Sequence, residues 1–206
     1  MIVVIDYGMG NLHSIAKALE YVGAEVLISS KIPDVKRADK LVLPGIGAFG
    51  DGIANLRELG LLDVLREEIV AKAKPFLGIC LGMQLLADRS FEFGEHEGLG
   101  LVRGDVVKFE FGDEKLRVPH VGWNDVDFRR FSPLFAGIKN HTDFYFVHSY
   151  HFVPSGLAAA LCDYGGPFAA ALQQGNIFAT QFHPEKSQKA GLKLLQNFLE
   201  WNPSHA

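Results

Sequence analysis

Gly78-Ile79-Cys80-Leu81-Gly82 places a thiol between glycines, after the short apolar run Pro75 to Ile79 and before a helical pattern from Leu81 to Ala87. A reactive side chain on a tight strand-to-helix turn needs this spacing, because small flanking residues let the backbone bend sharply and present the nucleophile. A helix start would favour the thiolate through its dipole and unpaired N–H groups. The N–H of Leu81 would then be available to a developing oxyanion. A cysteine in an apolar run also suits a small buried hydrophobe, which is how Cys162 reads, so the turn alone leaves both readings open for Cys80.

A nucleophilic thiol needs a base, and the base needs a group to orient it. Gln181-Phe182-His183-Pro184-Glu185 contains both. Residues two apart on an extended segment project to the same side, and Pro184 biases His183 away from the α region. A carboxylate on one imidazole nitrogen fixes the tautomer and leaves the other nitrogen for the thiol. Alone, H-P-E also reads as a surface histidine beside a helix-start glutamate. Its place after a predicted strand, with the Cys80 turn elsewhere, favours the catalytic reading.

Other motifs carry less. His148 and His151 form H-x-x-H, but no H-E-x-x-H helix or clustered cysteines accompany them, so a structural or binding loop is expected there and no metal. Asp6-Tyr7-Gly8-Met9-Gly10-Asn11 lacks both the full G-x-G-x-x-G spacing and a P-loop lysine, which argues against nucleotide binding. A net charge of −4 without basic runs argues against nucleic acid and anionic membranes. Two cysteines are too few for a disulfide framework, and no targeting segment or apolar stretch of ~18 residues is visible. A cytoplasmic protein is expected.

The elements that must position these residues follow from hydrophobic period. Ile2–Ile5, Glu25–Ile28, Lys40–Leu43 and Pro75–Ile79 read as buried strands, separated by amphipathic segments at Asn11–Val22 and 51–73, the latter broken at Gly60. Alternating apolar runs and helices imply a parallel sheet. From about Asp88 the rhythm changes to glycine-punctuated alternation such as Val106–Phe111, suited to antiparallel strands or loops. Phe144–His148, Ala158–Cys162, Phe168–Leu172 and Ile177–Gln181 are further strands, and Lys186–Trp201 is a closing helix with Leu192, Leu195, Phe198 and Leu199 as its buried stripe. At 206 residues with no convincing linker, one domain spanning 1–206 is expected.

With these residues in place, the sequence resembles the class I (triad) glutamine amidotransferases, whose motifs read G-x-C-x-G-x-Q and H-P-E. Here they are Gly78 to Gln84 and His183-Pro184-Glu185, about a hundred residues apart in the family's order. Pro44-Gly45-Ile46-Gly47 looks like the family's oxyanion strand. Within the family the likeness, covering essentially the whole chain, is to glutaminases that serve histidine biosynthesis. It is carried by Asp6 to Leu12, Pro44 to Phe49, Pro119 to Asn124, Phe144 to Tyr150 and Phe182 to Ser187, with Val121 and Ile46 as small apolar departures.

The resemblance implies a flavodoxin-like α/β fold with a mostly parallel sheet, flanking helices and an antiparallel extension. It implies hydrolysis of L-glutamine with Cys80, His183 and Glu185 as the triad, and no cofactor. Leu81, Ile46 and Gly47 would form the oxyanion hole, and Gly47, Gln84, Ser149 and Tyr150 would hold glutamine. It also implies a heterodimer with a separate (β/α)8 cyclase subunit, with Asn11, His120, Trp123 and Lys186 at the interface or coupling to it. Glutaminases of pyridoxal phosphate or anthranilate synthesis, a catalytically silent regulatory subunit and a cysteine peptidase on a related fold are the competing readings.

Overall fold

A computed structural model describes residues 1–112, 116–153 and 156–203. The strands in chain order are β1 Ile2–Ile5, β2 Val26–Ser29, β3 Lys40–Gly45, β4 Phe76–Cys80, β5 Arg89–Ser90, β6 His96–Glu97, β7 Asp105–Lys108, β8 His120–Phe128, β9 Thr142–His148, β10 Tyr150–Phe152, β11 Ala158–Asp163, β12 Pro167–Gln174 and β13 Ile177–Thr180. The α-helices are α1 Leu12–Tyr21, α2 Ile32–Arg37, α3 Phe49–Glu58, α4 Leu61–Arg66, α5 Leu81–Gln84 and α6 Gln188–Glu200.

Nine strands form one sheet in the order β2-β1-β3-β4-β13-β12-β11-β8-β9. Pairing is parallel from β2 to β13 and antiparallel from β13 to β9, so the antiparallel extension contributes as many strand pairs as the parallel part. Alternate residues of the buried strands feed opposite cores: Val3 and Ile5 pack into one, Ile2 and Val4 into the other. This is the pattern expected where helices cover both faces of a parallel sheet. A second sheet, β10-β7-β5-β6, is built from the segments that follow the elbow together with β10, which comes between β9 and β11 of the extension.

One connection decides the site. After β4 the chain builds the extension and returns as β13, which pairs in parallel with β4 from Ile177 opposite Phe76 to Thr180 opposite Ile79. Residues 181–183 therefore leave the sheet at the C-terminal end beside Cys80. Ligands of open α/β sheets bind outside that edge.

Several element expectations need correction. The region from Leu81 to Ala87 is helical only through Gln84, and Lys186–Trp201 divides into a 3-10 turn at Pro184–Lys186 and α6. The stripe of α6 is rotated, with Leu194, Leu195 and Phe198 buried while Leu192 and Leu199 are only partly covered. Asn11 caps α1 by accepting from the Ser14 N–H at 3.2 Å. Among the described residues no helix is long and apolar enough to cross a membrane.

Candidate active site

Cys80 ends β4 with φ +53° and ψ −108°, a conformation that side chains rarely adopt and that persists only where the surroundings impose it. The glycines explain how it is imposed. A Cβ on Gly78 would stand 2.8 Å from the carbonyl oxygen of Gly82, and one on Gly82 would overlap the carbonyl oxygen of Leu43. Thus β3, β4 and α5 meet backbone to backbone around the thiol. Because α5 is a single turn, the dipole of a long helix is not present. What remains is the set of first-turn N–H groups, including that of Leu81, which have no intrahelical partner.

His183 faces this turn. Its N–H donates to the Tyr145 carbonyl at 2.9 Å and its own carbonyl accepts from the Ser187 hydroxyl at 2.6 Å, fixing the residue against β9. His183 Nδ1 lies 2.8 Å from Glu185 Oε1. The expected contact is made by different geometry: His183 is extended, but Glu185 sits on the 3-10 turn, which folds the carboxylate back onto the ring. The other ring nitrogen, Nε2, is buried without an oxygen or nitrogen partner and is left to the Cys80 sulfur. Burial works against charge on this ring. The charge and hydrogen bond of Cys80, then those of Glu185, outweigh it and hold His183 up to about 10. The ring therefore favours its charged, imidazolium form.

A cavity of about 350 Å³ opens over Cys80, a size suited to a small ligand. Ile46 and Gly47 border it on one side, brought there because β3 pairs Gly45 with Cys80. Leu81, Gln84, Ser149 and Tyr150 line it as well, so every residue expected at the oxyanion or glutamine positions reaches the same cavity. Glu92 also lines it and was not anticipated. Its Oε2 accepts from the Phe49 N–H at 2.7 Å, and burial pushes its carboxyl above the usual range. Phe91-Glu92-Phe93-Gly94 reads as an ordinary loop, and only the return of the chain to α3 makes Glu92 a wall of the pocket.

The remaining expected residues separate. Trp123 is 47% exposed on the outer side of β8, edge-on to Tyr145, and Lys186 is exposed with Nζ 5.6 Å from the Tyr145 ring centre. These two share a face with exposed Val121. His120 does not join them: it is 3% exposed and points inward. Its Nδ1 lies 3.1 Å from His148 Nε2, and His148 Nδ1 lies 2.8 Å from the Tyr150 carbonyl. His151 stacks on Phe109. Burial pushes His148 down to about 3 and His120 to about 4, so both are neutral.

A cysteine on a strand-to-helix elbow, opposed by a buried His-Glu pair at the C-terminal edge of an α/β sheet, is the arrangement of a thiol-dependent acyl-transfer site. The chain belongs to the glutamine amidotransferase class-I family, whose family model matches residues 3–201. It is 51% identical over 199 residues to "Imidazole glycerol phosphate synthase subunit HisH 1" of Campylobacter jejuni, covering 96% of this chain and 98% of that one. The protein called "Imidazole glycerol phosphate synthase subunit HisH" in Aquifex aeolicus is 52% identical, with 95% and 94% covered.

Solved structures agree on the fold. A crystal structure of a glutamine amidotransferase superposes with a TM-score of 0.76 at 23% identity, covering 97% of this chain and 98% of that one. The glutaminase domain of Trypanosoma brucei CTPS with bound acivicin gives 0.66 at 17%, covering 98% and 94%.

Proposed function

We propose that this chain is the glutaminase subunit of an imidazole glycerol phosphate synthase. It hydrolyses L-glutamine to L-glutamate and ammonia, and hands the ammonia to a separate (β/α)8 cyclase subunit that forms imidazole glycerol phosphate. The observation that carries the reading is the buried His183 between Cys80 and Glu185, in a chain about half identical to HisH subunits over nearly its whole length.

The Cys80 thiolate attacks the side-chain amide carbon of glutamine, and the oxyanion that forms accepts from the Leu81 N–H and from the Ile46-Gly47 backbone. His183, already protonated, gives its proton to the departing nitrogen, so ammonia leaves and a thioester to Cys80 remains. Forming the thioester removes the sulfur charge that supported the imidazolium. The ring, having given up its proton, is less basic without that charge and stays neutral, so it can take a proton from the water attacking the thioester. Collapse of the second oxyanion releases glutamate and restores the thiolate. Glu92 offers the carboxylate that the α-ammonium of an amino-acid substrate requires.

A glutamine-like chloroketone tests this reading. Mass spectrometry should find the label on Cys80, with glutamine protecting against it. Label on Cys162, or labelling indifferent to glutamine, would contradict it.

A further inference from the structure

Gln181 is completely buried, and its amide bridges two groups of the site: Nε2 lies 3.6 Å from Cys80 Sγ, and Oε1 accepts from Gln84 Nε2 at 3.0 Å. The direction of this relay is fixed by a main-chain group. The Tyr150 carbonyl can only accept, and it takes the Gln84 Nε2 proton at 2.8 Å. The nitrogen of Gln84 must therefore face Gln181 as well, which requires oxygen on that side of the Gln181 amide and places its NH₂ on the sulfur. His148 Nδ1 adds a second donor to the same carbonyl, leaving neither amide a reason to flip.

We infer that Gln181 is a further catalytic residue, one that donates an N–H hydrogen bond to the Cys80 thiolate and holds it in line with the substrate amide. The inference rests on Cys80 being the nucleophile proposed above. A hydrogen bond to an ionised acceptor is shorter and stronger than one to a neutral acceptor, so the donor favours thiolate over thiol. It complements His183, which supports the same charge but must surrender its proton during turnover. Gln181 keeps its protons throughout. The sulfur is thus stabilised each time it is expelled as a leaving group, when the thioester breaks down.

The relay also gives Gln84 a second task. Its Nε2 is committed to Tyr150 and Gln181, so only its oxygen is available to a substrate in the cavity.

The test is the pH dependence of Cys80 alkylation by iodoacetamide, in the full chain carrying Cys162→Ala so that one thiol reports. Gln181→Met removes the donor at similar volume, and Gln181→Glu replaces it with an isosteric group that has no N–H to offer once ionised. In both, the alkylation midpoint should move up by about one pH unit. Glutamine hydrolysis measured with the cyclase should lose about tenfold in kcat, the worth of one hydrogen bond to a charged acceptor, with little change in KM. A midpoint and kcat matching the parent in either folded variant would overturn the role of Gln181. Failure of the nucleophile reading looks different, since the parent itself would then keep hydrolysing glutamine after alkylation.

Discussion

The Nδ1 atom of His183 and the Oε1 atom of Glu185 stand 2.8 Å apart with both side chains almost wholly buried, so the carboxylate has one imidazole to serve and little water to share it with. Such a carboxylate orients the ring and stabilises its charged form, while the ring itself moves the protons. His183→Ala should therefore cost about a thousandfold in kcat, and Glu185→Gln should cost less while still exceeding tenfold. Steady-state glutamate release measures both. An unimpaired Glu185→Gln enzyme would remove Glu185 from the triad.

Neutral His120 and His148 make stability depend on pH. Folded, they sit at about 4 and about 3; unfolded, each returns to about 6.5. Below that value the unfolded chain binds more protons, so stability should fall as pH drops toward 4, by up to about 1.4 kcal/mol per pH unit for each ring. His183 has the opposite sign, its contribution being complete below about 6.5 and fading as pH rises toward 10. Urea unfolding at pH 7 and pH 5 should show a smaller loss in a His120→Gln, His148→Gln double variant than in the parent. Equal losses would mean that the two rings are not held neutral.

The elbow depends on Gly82. With a Cβ overlapping the Leu43 carbonyl oxygen, Gly82→Ala must push β3 from α5 and should cost about 3 kcal/mol or prevent folding. Gly156→Ala is the control, because a Cβ there meets nothing within 4 Å and its φ is not left-handed; it should stay within about 0.5 kcal/mol. Unfolding midpoints that fail to separate these variants would contradict the close approach.

What could be read in advance, and what could not, follows from the kind of pattern involved. Cys80, His183 and Glu185 sit in short motifs whose residue types have few other uses together. The parallel strands announce themselves as continuous apolar runs such as Ile2–Ile5, buried on both faces. Strand β8 gives no such signal: its inward positions are His120, Gly122, Asn124 and Val126, while Val121 and Trp123 face outward, so the usual alternation is inverted. His120, which the resemblance of its segment places at the partner surface, is on that account turned inside. Gln181 and Glu92 owe their places to contacts with residues far along the chain, which no local pattern encodes.

Lys186 lines the cavity, and Trp123 shares the Tyr145 ring with it on an exposed face where a cyclase could dock to receive ammonia directly. An exposed tryptophan in such a place has the character of a binding hot spot. Trp123→Ala should weaken cyclase binding by about tenfold or more in calorimetry without lowering the unfolding midpoint, and Lys186→Ala should weaken it as well. Unchanged affinity in both variants would place the interface elsewhere.

The most direct measurement is the nitrogen source used by Cys80→Ala. In the mechanism proposed above the thiol supplies ammonia and takes no part in cyclisation, so the variant assembled with its cyclase should form no imidazole glycerol phosphate from glutamine. It should form the product from added ammonium salts at the parent's rate. Product from glutamine would contradict Cys80 as the nucleophile, and loss of the ammonium-dependent reaction would contradict the division of labour between the two subunits.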